Sequence, residues 1–319
     1  MSYSQAVGTT DIHNRDIMKI FKKFIKNQSA MEYLMTYGWS ILIIAVVLGA
    51  LSFLGVFNPM TFTPKATAGG CQVIKNTQIG ISNLEGACNN QVPQYVAQFN
   101  GQTSNVIVSI GNIPSITSSG SSGITITAWA SLIPSGGNQV LFSYTPQAYY
   151  PNIMLFSDAF CPSPPAILPI YHGSSSYYKD ACLSSITPNV MDFYALTFNG
   201  SELVGYEISG GTEVPHNVSI SMGTNSIPGN SDLYIGGGPG ASGWQGNIAN
   251  IQVYNTSLSS QAIYSLYQEG IGGVPVDINN LVSWLPLNGN ANDYSGTLNN
   301  GVPSNIVFTS NWYNGYTQP

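Results

Sequence analysis

Hydrophobic and polar positions divide the chain into stretches with different periods. No Asp, Glu, Lys or Arg occurs between Glu32 and Lys65, and residues 34–57 (LMTYGWSILIIAVVLGALSFLGVF) form a nearly continuous apolar run. A helix from Tyr33 to Phe57 would be roughly 37 Å long at ~1.5 Å per residue, enough for a bilayer core of about 30 Å. Asn58-Pro59 ends it, because proline cannot continue a helix. Residues 59–70 (PMTFTPKATAGG) read as a hinge. Beyond the hinge come short apolar runs such as Val106–Ile110, Ile124–Trp129 and Ile251–Tyr254, broken by Gly, Ser, Pro and Asn. In ITITAWA, Ile124, Ile126 and Ala128 alternate with Thr125, Thr127 and Trp129, which predicts a half-buried strand. Many short strands at regular spacing predict an antiparallel sandwich or jelly roll. Within this part only Ser259–Glu269 reads as a helix, with Ser259 or Ser260 as N-cap, Ile263, Leu266 and Tyr267 as its apolar face, and Gly270 as C-cap.

Charge sharpens this picture. Charged residues make up 7% of the chain, against about a quarter in an average protein. Five of the eight basic residues (Arg15, Lys19, Lys22, Lys23, Lys26) precede residue 28. From Gln28 onward three lysines face twelve acids, a formal charge of −9. That balance excludes a nucleic-acid partner for the bulk of the protein. The lysines before the apolar run place the N-terminus in the cytoplasm and the C-terminal part outside, by the positive-inside rule.

Three readings compete for the N-terminus. A cleaved secretory signal has an apolar core of about 7–15 residues, and this run is too long for that. A plain signal anchor fits the same physics. The third reading rests on Gln28-Ser29-Ala30-Met31-Glu32-Tyr33 and on Met35–Trp39 (MTYGW), which follow a lysine-rich leader. These motifs resemble the class III signal peptides of archaeal type IV pilin-like proteins. The resemblance implies that a prepilin peptidase cuts between Asn27 and Gln28 on the cytoplasmic side. The apolar segment then stays in the mature subunit and packs with other pilin subunits. Glu32, fifth in the mature chain, would pair with the α-amino group of Gln28 in a neighbouring subunit. Asn27 departs from the family, where glycine commonly precedes the cut. The ten residues from Met18 (MKIFKKFIKN) look like such a leader, whereas residues 1–17 do not, so translation is expected to begin at Met18.

Five pieces in order resemble a laminin-G-like (concanavalin A-like) domain: VAQFNG (96–101), GITITAWA (123–130), YALTFNGSELVGYEISG (194–210), DLYIGG (232–237) and WQGNIANIQVYNTSLSSQAIYSLYQEG (244–270). LVSWLPLNGNANDYSG (281–296) resembles the strand and loop that usually open such a domain, which implies a permuted first strand supplied from the C-terminus. The expected organisation is a leader over 1–27, an apolar transmembrane or filament helix over 28–58, a hinge and disulfide-tied linker over 59–94, and a laminin-G-like β-sandwich over 95–319.

All four cysteines fall outside the membrane on this topology, where disulfides form. Pairing Cys71 with Cys88 and Cys161 with Cys182 closes the shortest loops, and the spacings do not resemble zinc-ligand pairs. Asn199, Asn217 and Asn255 begin glycosylation sequons. The superfamily includes glucanases, and a retaining glycosidase needs two carboxylates ~5 Å apart. Glu202 and Glu207, five apart, point to opposite faces of a strand. Neither His172 nor His216 accompanies a nucleophile motif, so no enzyme is expected. No cofactor is expected either, with one alternative left open. The resemblance allows calcium, for which Asn290, Asn292 and Asp293 offer hard oxygens, although Ala249 and Asn250 stand at the family's acidic positions. Tyr149, Tyr150, Tyr177 and Tyr178 are candidates for stacking on sugars or for packing a loop. The resulting expectation is a surface-filament subunit with an extracellular domain that binds a glycan or protein. The competing expectation is a membrane-anchored glycan-binding protein that does not assemble.

Overall fold

The computed structural model describes residues 35, 37–52 and 92–319, the last with short gaps at 119, 121, 136, 147–149, 159–160, 163–164, 175, 211–214, 224 and 240–241. It also describes the backbone of strands at 65–66, 71–77 and 80–86. The chain divides into two compact units, residues 1–63 and 64–319.

In the first unit residues 37–52 are helical. Trp39, Ile41, Leu42, Ile43, Ile44, Val46, Val47 and Leu48 are all exposed, so the helix is apolar around its circumference rather than along one stripe. Among the described residues, no helix is long and apolar enough to cross a membrane. The remainder of the expected 28–58 helix, and Asn27, Gln28 and Glu32, lie outside the described residues.

The stretch expected to be a hinge and linker carries regular structure. Cys71–Thr77 and Gly80–Gly86 pair antiparallel as a hairpin, and Lys65–Ala66 pairs parallel with Val92–Pro93. Polar residues are frequent along both hairpin strands, which hid their period in the sequence.

The rest is a sandwich of two eight-stranded sheets. The first runs Tyr177–Asp180, Ala166–Ser174, Asn152–Asp158, Gln139–Thr145, Asp232–Ile235, Asn105–Ser109, Val302–Ser304, with Ser184–Ser185 beside Ala166–Ser174. The second runs His216–Ser221, Glu202–Ile208, Asp192–Phe198, Ile124–Leu132, Gln245–Tyr254, Val96–Asn100, Val307–Thr309. Leu281–Leu285 pairs antiparallel with Gln245–Tyr254, so the C-terminal segment does complete the second sheet.

Ile124, Ile126, Ala128, Ala130 and Leu132 join the inter-sheet core, as the alternation predicts. The strand is nevertheless buried on both faces, which corrects the half-buried reading. Trp129 is covered by Tyr267 stacked at 5.6 Å and by Tyr316 edge-on at 5.3 Å. Tyr267 belongs to the helix Ser260–Gln268, whose buried residues are Ile263, Leu266 and Tyr267. Ser259 caps it by accepting from the Ala262 amide. Glu269 is the C-cap, and Gly270 follows at φ +77° rather than capping itself.

The C-terminal loop is built around one carboxylate. Asp293 Oδ1 accepts from the Trp284 and Ser295 amides at 2.8 and 2.9 Å. Its Oδ2 accepts from Ser295 Oγ, Thr297 Oγ1 and the Asn299 amide at 2.8, 2.9 and 2.8 Å. These donors pin the loop onto the added strand.

Candidate functional site

Strands buried on both faces define the site. In Asn152–Asp158, Ile153 and Leu155 enter the inter-sheet core, while Met154 and Phe156 face the other way. In Ala166–Ser174, Ile167 and Tyr171 face the core, while Ala166, Leu168 and Ile170 face outward with them. A register shift between Val140 and Phe142 turns Val140 to the same outward side. The first sheet thus carries a second apolar cluster on the face opposite the core. Cys161 belongs to that cluster and is bonded to Cys182, as the loop-length argument predicts.

A groove of about 410 Å³ lies over this cluster. Val140, Met154, Phe156 and Ile170 form its floor, with Asn138, Asp158, His172, Tyr178, Asp180 and Ser242 around them. Register fixes the polar corners: Asp158 lies opposite Ala166, while Asp180 and Tyr178 lie opposite Ile170 and His172. With ~3.3 Å per residue along a strand and ~4.8 Å between strands, the two aspartates are on the order of 15 Å apart across the floor. His172 sits edge-to-face with Tyr150 at 6.1 Å and Tyr178 at 5.8 Å. Burial pushes the His172 imidazole below its ordinary pKa, with Asp180 acting in the opposite direction. The ring is therefore neutral at pH 7 and adds no charge. Tyr178 is 58% exposed and Tyr150 38%, so both present ring surface. Tyr177 packs against Tyr171, and Tyr149 lies outside the described residues.

An apolar floor edged by amides, hydroxyls, carboxylates and aromatic rings suits a ligand that is apolar on one face and polar at its margin. A pyranose ring has that character, with C–H groups on its face and hydroxyls around its edge. Periodicity alone could not show the groove, because a strand apolar on both faces reads as a continuous run. His172, Tyr150 and Tyr178 were visible as residue types, whereas Asp158 and Asp180 gave no signal without the strand register.

The remaining candidates are dispersed. Asn199 and Asn217 are exposed and Asn255 is half-buried. Asn199 Oδ1 accepts from the Ser201 and Glu202 amides in a turn. Cys88 and the side chain of Cys71 lie outside what is described. Asn290 Oδ1 accepts from the Asn292 amide, and Asp293 is surrounded by N–H and O–H donors, the environment of an anion rather than a cation ligand. Asn250 Oδ1 accepts from the Trp284 indole at 2.8 Å, a structural task in the closing strand. This donor chemistry does not fit a calcium ion at the C-terminal loop.

Glu202 and Glu207 do face opposite sides, since their strand pairs residue by residue with its neighbours. Glu207 instead meets a partner from the next strand. Tyr194 lies directly opposite it, which makes Asp192 its diagonal neighbour. Asp192 and Glu207 are both buried, and His216 Nδ1 lies 3.4 Å from Glu207 Oε2.

A family profile described as the concanavalin A-like lectin/glucanases superfamily matches residues 100–264, just over half of the chain. No curated protein matches the chain. Among solved structures, a SAP-like pentraxin from Limulus polyphemus is similar at 10% identity and TM-score 0.48, covering 67% of this chain and 94% of the pentraxin. A protein from Bacteroides ovatus described as carbohydrate binding is similar at 16% identity and TM-score 0.47, covering 69% of this chain and 60% of the other. Domains LG4–5 of mouse laminin α1 are similar at 12% identity and TM-score 0.38, covering 55% of this chain and 46% of the other. The profile match spans strands of both sheets and the groove between Asn138 and Ser242, and by it the chain belongs to the concanavalin A-like lectin/glucanases superfamily.

Proposed function

We propose that the protein is a cell-surface carbohydrate-binding protein that holds a glycan in the groove of the first sheet. The observation that carries this reading is the groove of about 410 Å³ over the buried apolar residues Val140, Met154, Phe156 and Ile170, with exposed Tyr178 at its edge. Superfamily membership supports it. The reading is of binding rather than catalysis. Asp158 and Asp180 stand too far apart for a glycosidase pair, which needs about 5–9.5 Å. Screening the purified chain against an array of neutral, amino and acidic glycans tests it. Retention of at least one class, weakened about tenfold by Tyr178→Ala, supports the reading. Retention of none refutes it.

The second part of the reading is presentation outside the cell, either in a filament or from a membrane anchor. Its support is the exposed helix at 37–52, apolar on all sides, which needs lipid or copies of itself as cover. In the filament form a prepilin peptidase cuts before Gln28, and Glu32 pairs with the Gln28 α-amino group of a neighbouring subunit. N-terminal sequencing of surface-exposed protein decides between them: Gln28 supports the filament form, and an intact leader refutes it.

A further inference from the structure

The sequons at Asn199, Asn217 and Asn255 are treated differently by the fold. Asn199 is exposed in the turn between the strands Asp192–Phe198 and Glu202–Ile208. Its Oδ1 accepts from the Ser201 and Glu202 amides at 2.9 and 2.8 Å, while its Nδ2 has no hydrogen-bond partner among the described residues. The hydroxyl of this sequon, on exposed Ser201, reaches the Ser118 carbonyl at a long 3.5 Å. Amide nitrogen and hydroxyl are thus presented together on a surface turn, the setting in which a sequon can be read.

The other two sequons are built into the structure. Asn217 is exposed, but it lies in the strand His216–Ser221, opposite Tyr206 in a regular ladder. The hydroxyl of its sequon belongs to Ser219 and donates to Glu202 Oε1. Reading this site requires the strand to open and the hydroxyl to be released, and local opening costs free energy at each encounter. Asn255 is half-buried, and its N–H donates to the Asn280 carbonyl at 2.9 Å. Thr125 Oγ1 holds the chain just beyond it, donating to the Thr256 carbonyl at 2.7 Å and accepting from the Leu258 amide at 2.9 Å. The backbone there packs so closely that a Cβ on Gly123 would lie 2.6 Å from the Ser257 nitrogen.

A polar notch of about 420 Å³ adjoins Asn199, with Ser118, Ser122, Ser201, Thr256 and Ser257 along it. A sugar linked to Asn199 finds hydroxyl partners in this notch and covers Thr256 and Ser257 of the Asn255 sequon.

We infer that Asn199 is the asparagine the folded protein offers for N-glycosylation, with an oligosaccharide transferred from a lipid-pyrophosphate donor by a glycosyltransferase. Nδ2 bonds to the anomeric carbon as the bond from that carbon to the pyrophosphate oxygen breaks. The lipid pyrophosphate leaves with the electron pair, and a base of the transferase takes the amide proton. The inference rests on the reading that this domain lies outside the cell, and it is independent of what the groove of the first sheet binds.

The test is glycosylation of the folded full chain, in detergent, by a single-subunit oligosaccharyltransferase with its lipid-pyrophosphate-linked donor. Short peptides carrying each sequon supply the intrinsic rates, and glycopeptide mass spectrometry reads each site. Relative to its peptide, Asn199 should keep its rate in the folded chain, while Asn217 and Asn255 should each slow by about tenfold or more. Asn199→Gln should leave the folded chain almost unmodified. An unmodified Asn199 would overturn the inference, as would Asn217 or Asn255 reacting as fast in the folded chain as in its peptide. Either result would leave the surface reading standing, since that reading is decided by N-terminal sequencing of surface-exposed protein.

Discussion

Replacing Asp192 by asparagine should make the protein more stable at alkaline pH and leave it nearly unchanged in acid. Asp192 is 1% exposed and its Oδ1 has no hydrogen-bond partner. Burial, and then the charge of Glu207, push its carboxyl from an ordinary value near 3.8 up to about 7. A raised acid holds its proton more tightly when folded than when unfolded. Its contribution is therefore fully present below about pH 3.8 and is lost as pH rises through 7. At about 1.4 kcal/mol per pH unit, that interval is worth on the order of 4 kcal/mol. Other carboxylates titrate in the same range, so the informative quantity is the difference between variant and wild type. Asparagine keeps the shape and cannot ionise. Urea denaturation followed by fluorescence of the buried Trp129, Trp244 and Trp284 at intervals from pH 4 to 8 reports that difference. The expected result is near-equality at pH 4 and a variant more stable by a few kcal/mol at pH 8. Parallel profiles across the range would refute the reasoning, because they would mean that the buried carboxyl does not change its proton affinity on folding.

Asp293→Ala strands the amides of Trp284, Ser295 and Asn299 and should cost about 3–5 kcal/mol in the same urea assay; a cost under 1 kcal/mol would mean that water replaces the carboxylate readily. Gly200→Ala should lower stability by about 2–4 kcal/mol, since φ is +88° and a Cβ would lie 2.1 Å from the Thr117 carbonyl oxygen. Thermal melting checks this, and an unchanged Tm would contradict the close approach. Cys161→Ala together with Cys182→Ala opens a bond of sequence separation 21 and should cost about 3 kcal/mol on loop-closure grounds. Non-reducing peptide mapping of the wild type should recover that pair, and a Cys88–Cys161 peptide would contradict it.

The sandwich was legible because its second sheet is assembled from strands with a one-face rule on the core side. Ile124, Ile126 and Ala128 take that face as their alternation predicts. The C-terminal strand was legible through the Leu281–Gly296 resemblance, and Leu281–Leu285 pairs with Gln245–Tyr254 in the second sheet. The groove was not legible, since Met154 and Phe156 alternate with Ile153 and Leu155 and all four are apolar. A period of two vanishes when both faces are buried. The Asp192–Glu207 pair escaped for another reason. Its members sit on neighbouring strands 15 residues apart in sequence, and only the pairing of Tyr194 with Glu207 brings them together. Asp293 was visible as a hard oxygen in an Asn-rich stretch, but the five donors that organise around it come from positions 284 to 299 and could not be counted beforehand.

The most direct test of the central claim is a crystal structure of the protein with a bound oligosaccharide. The account predicts a sugar ring with its C–H face over Phe156 and Ile170, bounded by Tyr178 and Asp180 at one end and Asp158 at the other. A sugar seated instead in the polar notch formed by Ser118, Asn199, Ser201 and Thr256, with the groove of the first sheet empty, would contradict it.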